Sequence, residues 1–311
     1  MTPNVGQPFK LAIFGECMAE LSGELFSVMK QDMGGDTLNT AIYLKSLVKD
    51  AVHLSYVTAM GTDRLSQAMI KKWQEYNIDT NLVLTNKQKQ VGLYCIQNDT
   101  SGERSFQYWR NDSAARYLMQ HEGITDTFIQ ISQFNAVFLS GISIAILPPK
   151  DRYELLTHLI TLKQLGVKVI FDGNYRAQLW ENIETAETIY QELYHISDVA
   201  LLTFDDEQLL WQDDNIRVTQ QRLSDYKINE LVIKDGKNGC IYLSKQQIIT
   251  VPTKPVANVV DTTAAGDSFN AGFLAGKIKH RNAKDCCDLG NQLAGQVIQQ
   301  QGAIVDVALD I

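Results

Sequence analysis

Val259-Val260-Asp261-Thr262-Thr263-Ala264-Ala265-Gly266-Asp267-Ser268-Phe269-Asn270-Ala271-Gly272 is the stretch from which the rest of this chain is read. An apolar strand end runs into small residues, meets an aspartate and continues as an amphipathic segment. Small side chains let backbone N–H groups converge on one point. A helix beginning there adds the positive end of its dipole, so the turn is suited to cradle an anion. Asp267 falls where that anion would lie. A carboxylate opposes anion binding unless it has a task, and taking the proton of a hydroxyl that attacks a phosphate is such a task. The plainer explanation is an N-cap aspartate on an ordinary helix. Two threonines ahead of Ala264-Ala265-Gly266-Asp267, with Gly272 a turn and a half inside the helix, are too particular for it.

Around this stretch the 311-residue chain alternates two patterns. Short apolar runs occur at 11–14, 52–60, 136–139, 167–171, 199–202, 231–233 and 241–243. Helical spacing separates most of them. Within 37–48, Leu38, Ala41, Ile42 and Val48 share a face; within 282–301, Ala283, Cys286, Leu293, Ala294, Val297 and Ile298 do, and Gly302 follows as a stop. Strands alternating with helices predict an α/β protein with a largely parallel sheet covered on both faces.

One segment breaks the rhythm. Residues 91–97 and 104–110 read as two strands around a polar turn at 98–103. Period two places Phe106, Tyr108 and Arg110 on one side and Ser105, Gln107 and Trp109 on the other, with Tyr94 in the paired strand. Two tyrosines and an arginine on one face suit a surface that closes over a polar ligand. A hairpin packed on the main body is the alternative.

Composition narrows the partners. With 28 basic and 36 acidic residues the net charge is −8, which argues against nucleic acid or an anionic membrane as partner. An acidic small molecule would have to be held by local arginines. The five cysteines form no C-x-x-C pair and are odd in number. Reduced thiols in a cytoplasmic protein fit better than a disulfide framework or a metal cluster. Residues 1–10 are polar, contain two prolines and do not read as a signal peptide. No apolar run approaches the roughly 20 residues that cross a bilayer.

Other clusters lie at strand ends and helix entries. In Gly34-Gly35-Asp36-Thr37-Leu38-Asn39-Thr40-Ala41, paired glycines let the backbone approach a ligand, and Asp36 and Asn39 can bond hydroxyls. Gly-Gly-Asp is also a routine helix entry. Asp172-Gly173-Asn174-Tyr175-Arg176 follows an apolar run, at the end of a parallel strand where ligands bind in open α/β sheets, and Arg176 can pair with a carboxylate or phosphate. Lys234-Asp235-Gly236-Lys237-Asn238-Gly239 reads either as a tight hairpin turn or as a loop along a nucleotide. Asp205, Asp206 and Glu207 are either a solvated helix start or carboxylates holding Mg²⁺ through water. No G-x-G-x-x-G follows the first strand, and neither a G-x-S-x-G elbow nor a zinc pattern is present.

Taken together these segments resemble the ribokinase-like (PfkB) family of carbohydrate kinases over nearly the whole chain. Gly34-Gly35 with Asn39 and Ala41 is similar to the family's first signature, and Asp261 to Asp267 to its second. The resemblance implies a three-layer α/β/α fold with a mostly parallel central sheet. It implies one domain spanning 1–311 and a small β-sheet lid formed by insertions near 16–36 and 91–112. It implies ATP and Mg²⁺, with Asp267 as catalytic base and Ala264, Ala265 and Gly266 as the anion hole. Gly34, Gly35, Asp36, Asn39, Tyr94, Tyr108, Arg110 and Arg176 match sugar-binding positions. Asn174, Lys234, Gly236 and Gly239 match the nucleotide side, and Glu207 a water-mediated Mg²⁺ position. Gly102-Glu103-Arg104, Tyr108-Trp109-Arg110, Ser113-Ala114-Ala115-Arg116, Asp172 to Arg176 and Leu179-Trp180 look like the branch that phosphorylates a sugar acid. Arg110 and Arg176 are fixed cations that a neutral sugar would not need. Such lids often pair, so a homo-oligomer is expected. Two positions depart from the family: Phe204 stands where it often has asparagine, with Glu207 retained, and Ala177 stands where it often has proline. A fructokinase-like sugar kinase and a non-catalytic sugar or nucleotide sensor are the rival readings. A hydride-transfer enzyme lacks its glycine fingerprint.

Overall fold

The apolar runs become the strands of one large sheet, and the helical stretches cover its two faces. The structure, a computed structural model, describes residues 7–98 and 104–309. The strands are β1 (Phe9–Phe14), β2 (Met18–Gly23), β3 (Met29–Gly34), β4 (Val52–Gly61), β5 (Val83–Asn86), β6 (Leu93–Asn98), β7 (Arg104–Trp109), β8 (Ala136–Ser140), β9 (Lys168–Asp172), β10 (Val199–Thr203), β11 (Glu230–Lys234), β12 (Cys240–Ser244) and β13 (Ile248–Val251). The helices are α1 (Asp36–Val48), α2 (Arg64–Glu75), α3 (Ile124–Ile131), α4 (Gly141–Ala145), α5 (Pro149–Gln164), α6 (Ile183–Ile196), α7 (Phe204–Trp211), α8 (Ile216–Leu223), α9 (Ala265–Ile278) and α10 (Ala283–Val297). Several begin where the side chain ahead of them can take a free N–H: Asp63 accepts from Ser66, Asn182 from Thr185 and Asn282 from Asp285.

The large sheet has the order β13-β12-β11-β10-β9-β8-β1-β4-β5. Its strands pair in parallel from β5 to β11, and β12 and β13 close the far edge antiparallel. Burial on both faces follows from period two. Leu11 and Ile13 face a core shared with Leu38 of α1, Phe273 of α9 and Leu293 of α10. Ala12 and Phe14 face the opposite core, with Leu159 of α5 and Leu193 of α6. These are the expected three layers.

Two features position the site. Strand β1 lies between β4, which leads to one edge, and β8, which leads to the other. The strand order reverses there, and the crevice at the carboxyl ends of such strands is where open α/β sheets bind ligands. A second sheet of order β3-β2-β6-β7 is formed by strands within residues 18–34 and 93–109. The Tyr94 and Tyr108 rings stack at 5.8 Å, and Phe106 lies 6.3 Å beyond Tyr108, as the period-two reading requires. The turn residues Gly102 and Glu103 of the expected lid segment lie outside the described residues.

Residues 235–239 connect β11 to β12 as a hairpin turn, with the Asp235 N–H donating to the Gly239 carbonyl. Gly239 has φ +94, and a Cβ there would come within 2.2 Å of the Val251 carbonyl oxygen, so no other residue fits.

Candidate active site

The first residues beyond several parallel strands converge with the starts of α1 and α9. Strand β8 ends at Ser140, β9 at Asp172 and β11 at Lys234. Helix α1 brings Asp36 and Asn39, and α9 brings Asp267 and Asn270. Asn39 Nδ2 donates to Asp267 Oδ2 at 2.8 Å, and Thr40 Oγ1 donates to the Asp267 carbonyl at 3.1 Å. The two signature stretches, 228 residues apart, are therefore joined at the carboxylate itself.

Four carboxylates meet here, each with a fixed partner. Asn174 Nδ2 donates to Asp36 at 2.6 Å, and Asn39 serves Asp267. Lys234 Nζ donates to Asp172 at 3.1 Å and to Asn270 Oδ1 at 3.0 Å. Arg176 Nη1 pairs with Asp206 at 3.1 Å. Burial pushes the Asp267 carboxyl up to about 8; the neighbouring Asp36 and Asp172 carboxylates add to the rise, while Asn39 and Lys234 oppose it. Burial also raises Asp36, with Asp172 adding to it and hydrogen bonds from Ser140 and Thr37 opposing it. A carboxyl raised in this way is a base of moderate strength, suited to take a proton from an alcohol.

The turn ahead of α9 is fixed from below. Asp261 is buried; its Oδ1 accepts from the N–H and hydroxyl of Thr263, and its Oδ2 accepts from the Gly302 N–H at 2.7 Å. Ala264 takes the left-handed conformation, φ 60, at the N-cap of α9. That conformation costs a non-glycine residue roughly 1–2 kcal/mol and turns the chain so that the first helical N–H groups face the crevice. Of the three expected anion-hole residues, Ala265 uses its N–H within the turn, donating to the Thr262 carbonyl at 3.2 Å. Gly266 and Asp267 lie in the first turn of the helix, where N–H groups have no intrahelical acceptor. A Cβ on Gly266 would stand 3.6 Å from Lys234 Nζ, so an ammonium group borders this donor set. Free N–H groups, a helix N-terminus and a fixed cation fit a nucleotide's terminal phosphates.

The sequence pattern described as pfkB family carbohydrate kinase matches residues 9–309. The chain belongs to that family. This PfkB-family chain is 48% identical over 300 residues to the 2-dehydro-3-deoxygluconokinase of Haemophilus influenzae, covering 96% of both chains. It is 41% identical over 300 residues to the protein of the same name from Escherichia coli, covering 95% of this chain and 97% of that one. The crystal structure of 2-dehydro-3-deoxygluconokinase from Thermotoga maritima shares the fold, with a TM-score of 0.81 at 19% identity over 96% of each chain. A PfkB protein from Polaromonas does so at a TM-score of 0.82 and 19% identity, over 94% of this chain and 96% of that one.

In this PfkB-family chain the second sheet packs closely on the start of α1. A Cβ on Gly34 would meet the Tyr94 hydroxyl at 2.3 Å, and one on Gly35 the Glu16 carbonyl oxygen at 2.2 Å. Both glycines therefore let the lid close down on the start of α1. The Tyr94 hydroxyl donates to Glu20, while Tyr108 is half exposed, with the Arg110 guanidinium 6.0 Å from its ring centre. Arg110 itself pairs with Glu16, a buried carboxylate that the sequence reading missed. Glu16 stands just beyond β1, and the strand-end rule applied to Asp172 could have found it. Asn270, one turn beyond Gly266, was also missed.

Three of the expected site residues have partners that the sequence reading did not give. Asn174 bonds Asp36. Lys234 does not lie in the 235–239 turn with Gly236 and Gly239; it is buried at the end of β11 against Asp172 and Asn270. Glu207 is not presented to a metal. It is buried, both its oxygens accept from the Tyr194 hydroxyl, and Oε2 also accepts from Arg222. Burial raises it to about 7, with Arg222 opposing the rise. Among the described residues no three His, Cys, Asp or Glu side chains form a cluster able to hold a metal ion. Mg²⁺ in kinases is held largely by substrate phosphates and water, and the donor set here fits that arrangement.

Proposed function

We propose that this protein transfers the terminal phosphoryl group of ATP to the 6-hydroxyl of 2-keto-3-deoxygluconate, the sugar acid that its H. influenzae and E. coli relatives carry in their names as 2-dehydro-3-deoxygluconate. The observation that carries the reading is Asp267, raised toward neutrality and held by Asn39 at the start of a helix in which the Gly266 and Asp267 N–H groups have no intrahelical acceptor. Asp267 takes the hydroxyl proton as the oxygen attacks phosphorus, and the bond to the leaving ADP oxygen breaks. The N–H groups of Gly266 and Asp267, the α9 dipole and Lys234 stabilise the charge of the moving phosphoryl group. Mg²⁺ bound with the nucleotide would neutralise its phosphate oxygens. Arg110 and Arg176 orient the acid end, and Asp36, Asn39 and the Gly34-Gly35 backbone bond the hydroxyls. Gly236 and Gly239 shape a turn along the nucleotide. The lid excludes water that would otherwise hydrolyse ATP.

The exposed Leu25, Phe26 and Val28 at the lid's outer turn support a homo-oligomer paired through the lid. Five free, buried thiols support the cytoplasm as its location. Among the described residues no helix is long and apolar enough to cross a membrane.

A substrate panel tests the reading. With ATP and Mg²⁺, the keto-deoxy sugar acid is expected to exceed fructose in kcat/KM by about 100-fold or more, the scale of a charged hydrogen-bonded pair. Arg110→Ala is expected to remove most of that preference by weakening the acid alone. Fructose as the better acceptor, or ATP consumption that no acceptor stimulates, refutes it.

A further inference from the structure

The chain passes between body and lid four times: at Glu16–Cys17 into β2, at Gly34–Gly35 out of β3, at Gly92 into β6 and at Arg110 out of β7. Glu16 touches the other three. Its carbonyl oxygen lies where a Cβ of Gly35 would stand, and a Cβ on Gly92 would meet Glu16 Oε1 at 2.9 Å and Arg110 Cβ at 3.3 Å. Its carboxylate pairs with the Arg110 guanidinium. The Glu16 side chain is 1% exposed and that of Arg110 9%. The Ala19 N–H bonds the Gly92 carbonyl at 2.9 Å and fastens two of these crossings together beside the pair.

The pair is incomplete in one respect. Among the described residues neither Glu16 oxygen takes part in a well-formed hydrogen bond, and Arg110 Nε has no acceptor. A buried carboxylate and a buried guanidinium face each other with hydrogen-bonding capacity to spare. Displacing Glu16 from Arg110 would strand a buried charge, which is the costly outcome for such pairs.

Resting on the sugar-acid reading above, we propose that Glu16 is the positioning residue that aims Arg110 at the acceptor's carboxylate. Glu16 does not touch the reacting atoms. It fixes the cation that does the recognising, and it is anchored in the body, so the lid strand carrying Arg110 is drawn to one position.

The test uses the full-length enzyme. Glu16→Gln keeps the shape and removes the charge. It is expected to raise KM for the sugar acid about 10–100-fold, the scale of one charged hydrogen bond, with kcat and KM for ATP within about threefold. Turnover of the acid's neutral amide, with which Arg110 forms no ion pair, is expected to fall far less than that of the acid. Glu16→Gln combined with Arg110→Ala is expected to be no worse than Arg110→Ala alone, because both act through one guanidinium. An unchanged KM for the acid, equal losses on acid and amide, or additive losses in the double variant each overturn the proposal. Should Glu16→Gln not purify folded, Glu16→Asp decides by the same split: a raised acid KM supports it and a wild-type KM overturns it. Failure of the wild-type enzyme to phosphorylate the acid would instead sink the functional reading.

Discussion

Asp267→Asn is the perturbation on which the site stands or falls. Asn39 Nδ2 donates to Asp267 Oδ2, and an asparagine at 267 can still accept that bond through its Oδ1. The bond from Thr40 goes to the main-chain carbonyl and is indifferent to the side chain. The substitution therefore removes the base and leaves the scaffold. General-base catalysis is worth roughly 10²–10⁴-fold, about 2.7–5.4 kcal/mol of barrier at 1.36 kcal/mol per decade. Coupled measurement of ADP release should show kcat reduced by that factor, while equilibrium titration shows sugar-acid affinity little changed.

The same residue predicts a pH dependence with a definite sign. The Asp267 carboxyl rises on folding from 3.8 to about 8. Between those values the folded protein keeps a proton that the unfolded chain releases, so this residue's contribution to stability is present below about pH 4 and lost as pH climbs through 8. Asp267→Asn removes that loss. Its melting temperature should exceed that of the wild type at pH 8.5 and approach it at pH 4.5. In the wild type, kcat/KM for the acceptor should rise with pH along a limb set by the free carboxyl. Near-wild-type turnover in the variant, or an unaltered limb, would refute the assignment of the base.

Asn39→Ala deletes the donor that favours the charged form of Asp267. The limb in the pH–rate profile should move upward by about one unit, equivalent to ~1.4 kcal/mol; a downward move would contradict the role given to Asn39. Lys234→Met leaves Asp172 buried without its ammonium and Asn270 without its donor. Breaking a buried pair on one side costs about 3–5 kcal/mol, so the denaturant midpoint should fall sharply, and turnover of folded enzyme should fall with it. A loss of under 1 kcal/mol would show that Lys234 is not the cation of this crevice.

Much of the body was legible because its strands are buried on both faces and therefore spell continuous apolar runs: residues 136–139 became β8 and 199–202 became β10, each within one residue. The lid was legible only in part. Strand β7 alternates aromatic and polar residues and announces its faces, but β3 reads Met-Lys-Gln-Asp-Met-Gly and is held by backbone pairing with β2. Its residues 30–32 are exposed, so no apolar signal was required of them. Within the site, Asp267, Asn39 and Asp36 came from short motifs whose local chemistry is self-contained. The burial of Lys234 and Glu207 was not legible because the burial of a charged side chain depends on partners remote in sequence. Asp172 is 62 residues from Lys234, and Arg222 reaches Glu207 from the following helix. No local window contains those pairs.

The four carboxylates differ in their partners, and the difference bears on the proposed role of Asp267 as base. Asp172 and Asp206 face cations, Lys234 and Arg176. Asp36 and Asp267 face neutral amides, Asn174 and Asn39. Burial raises the Asp206 carboxyl while the Arg176 cation opposes that rise, and at Asp267 the Asn39 amide is the larger of the groups that oppose it. An amide supplies the hydrogen bond that orients the group without neutralising it. Asp267 is thus held in place yet left with the repulsion of Asp36 and Asp172, and its proton affinity stays high. An arginine or lysine at position 39 would make a tighter pair and a weaker base. The positive charge that phosphoryl transfer requires stands one step away, at Lys234 beside Gly266, where it can meet the phosphate and leave most of the basicity of Asp267 intact.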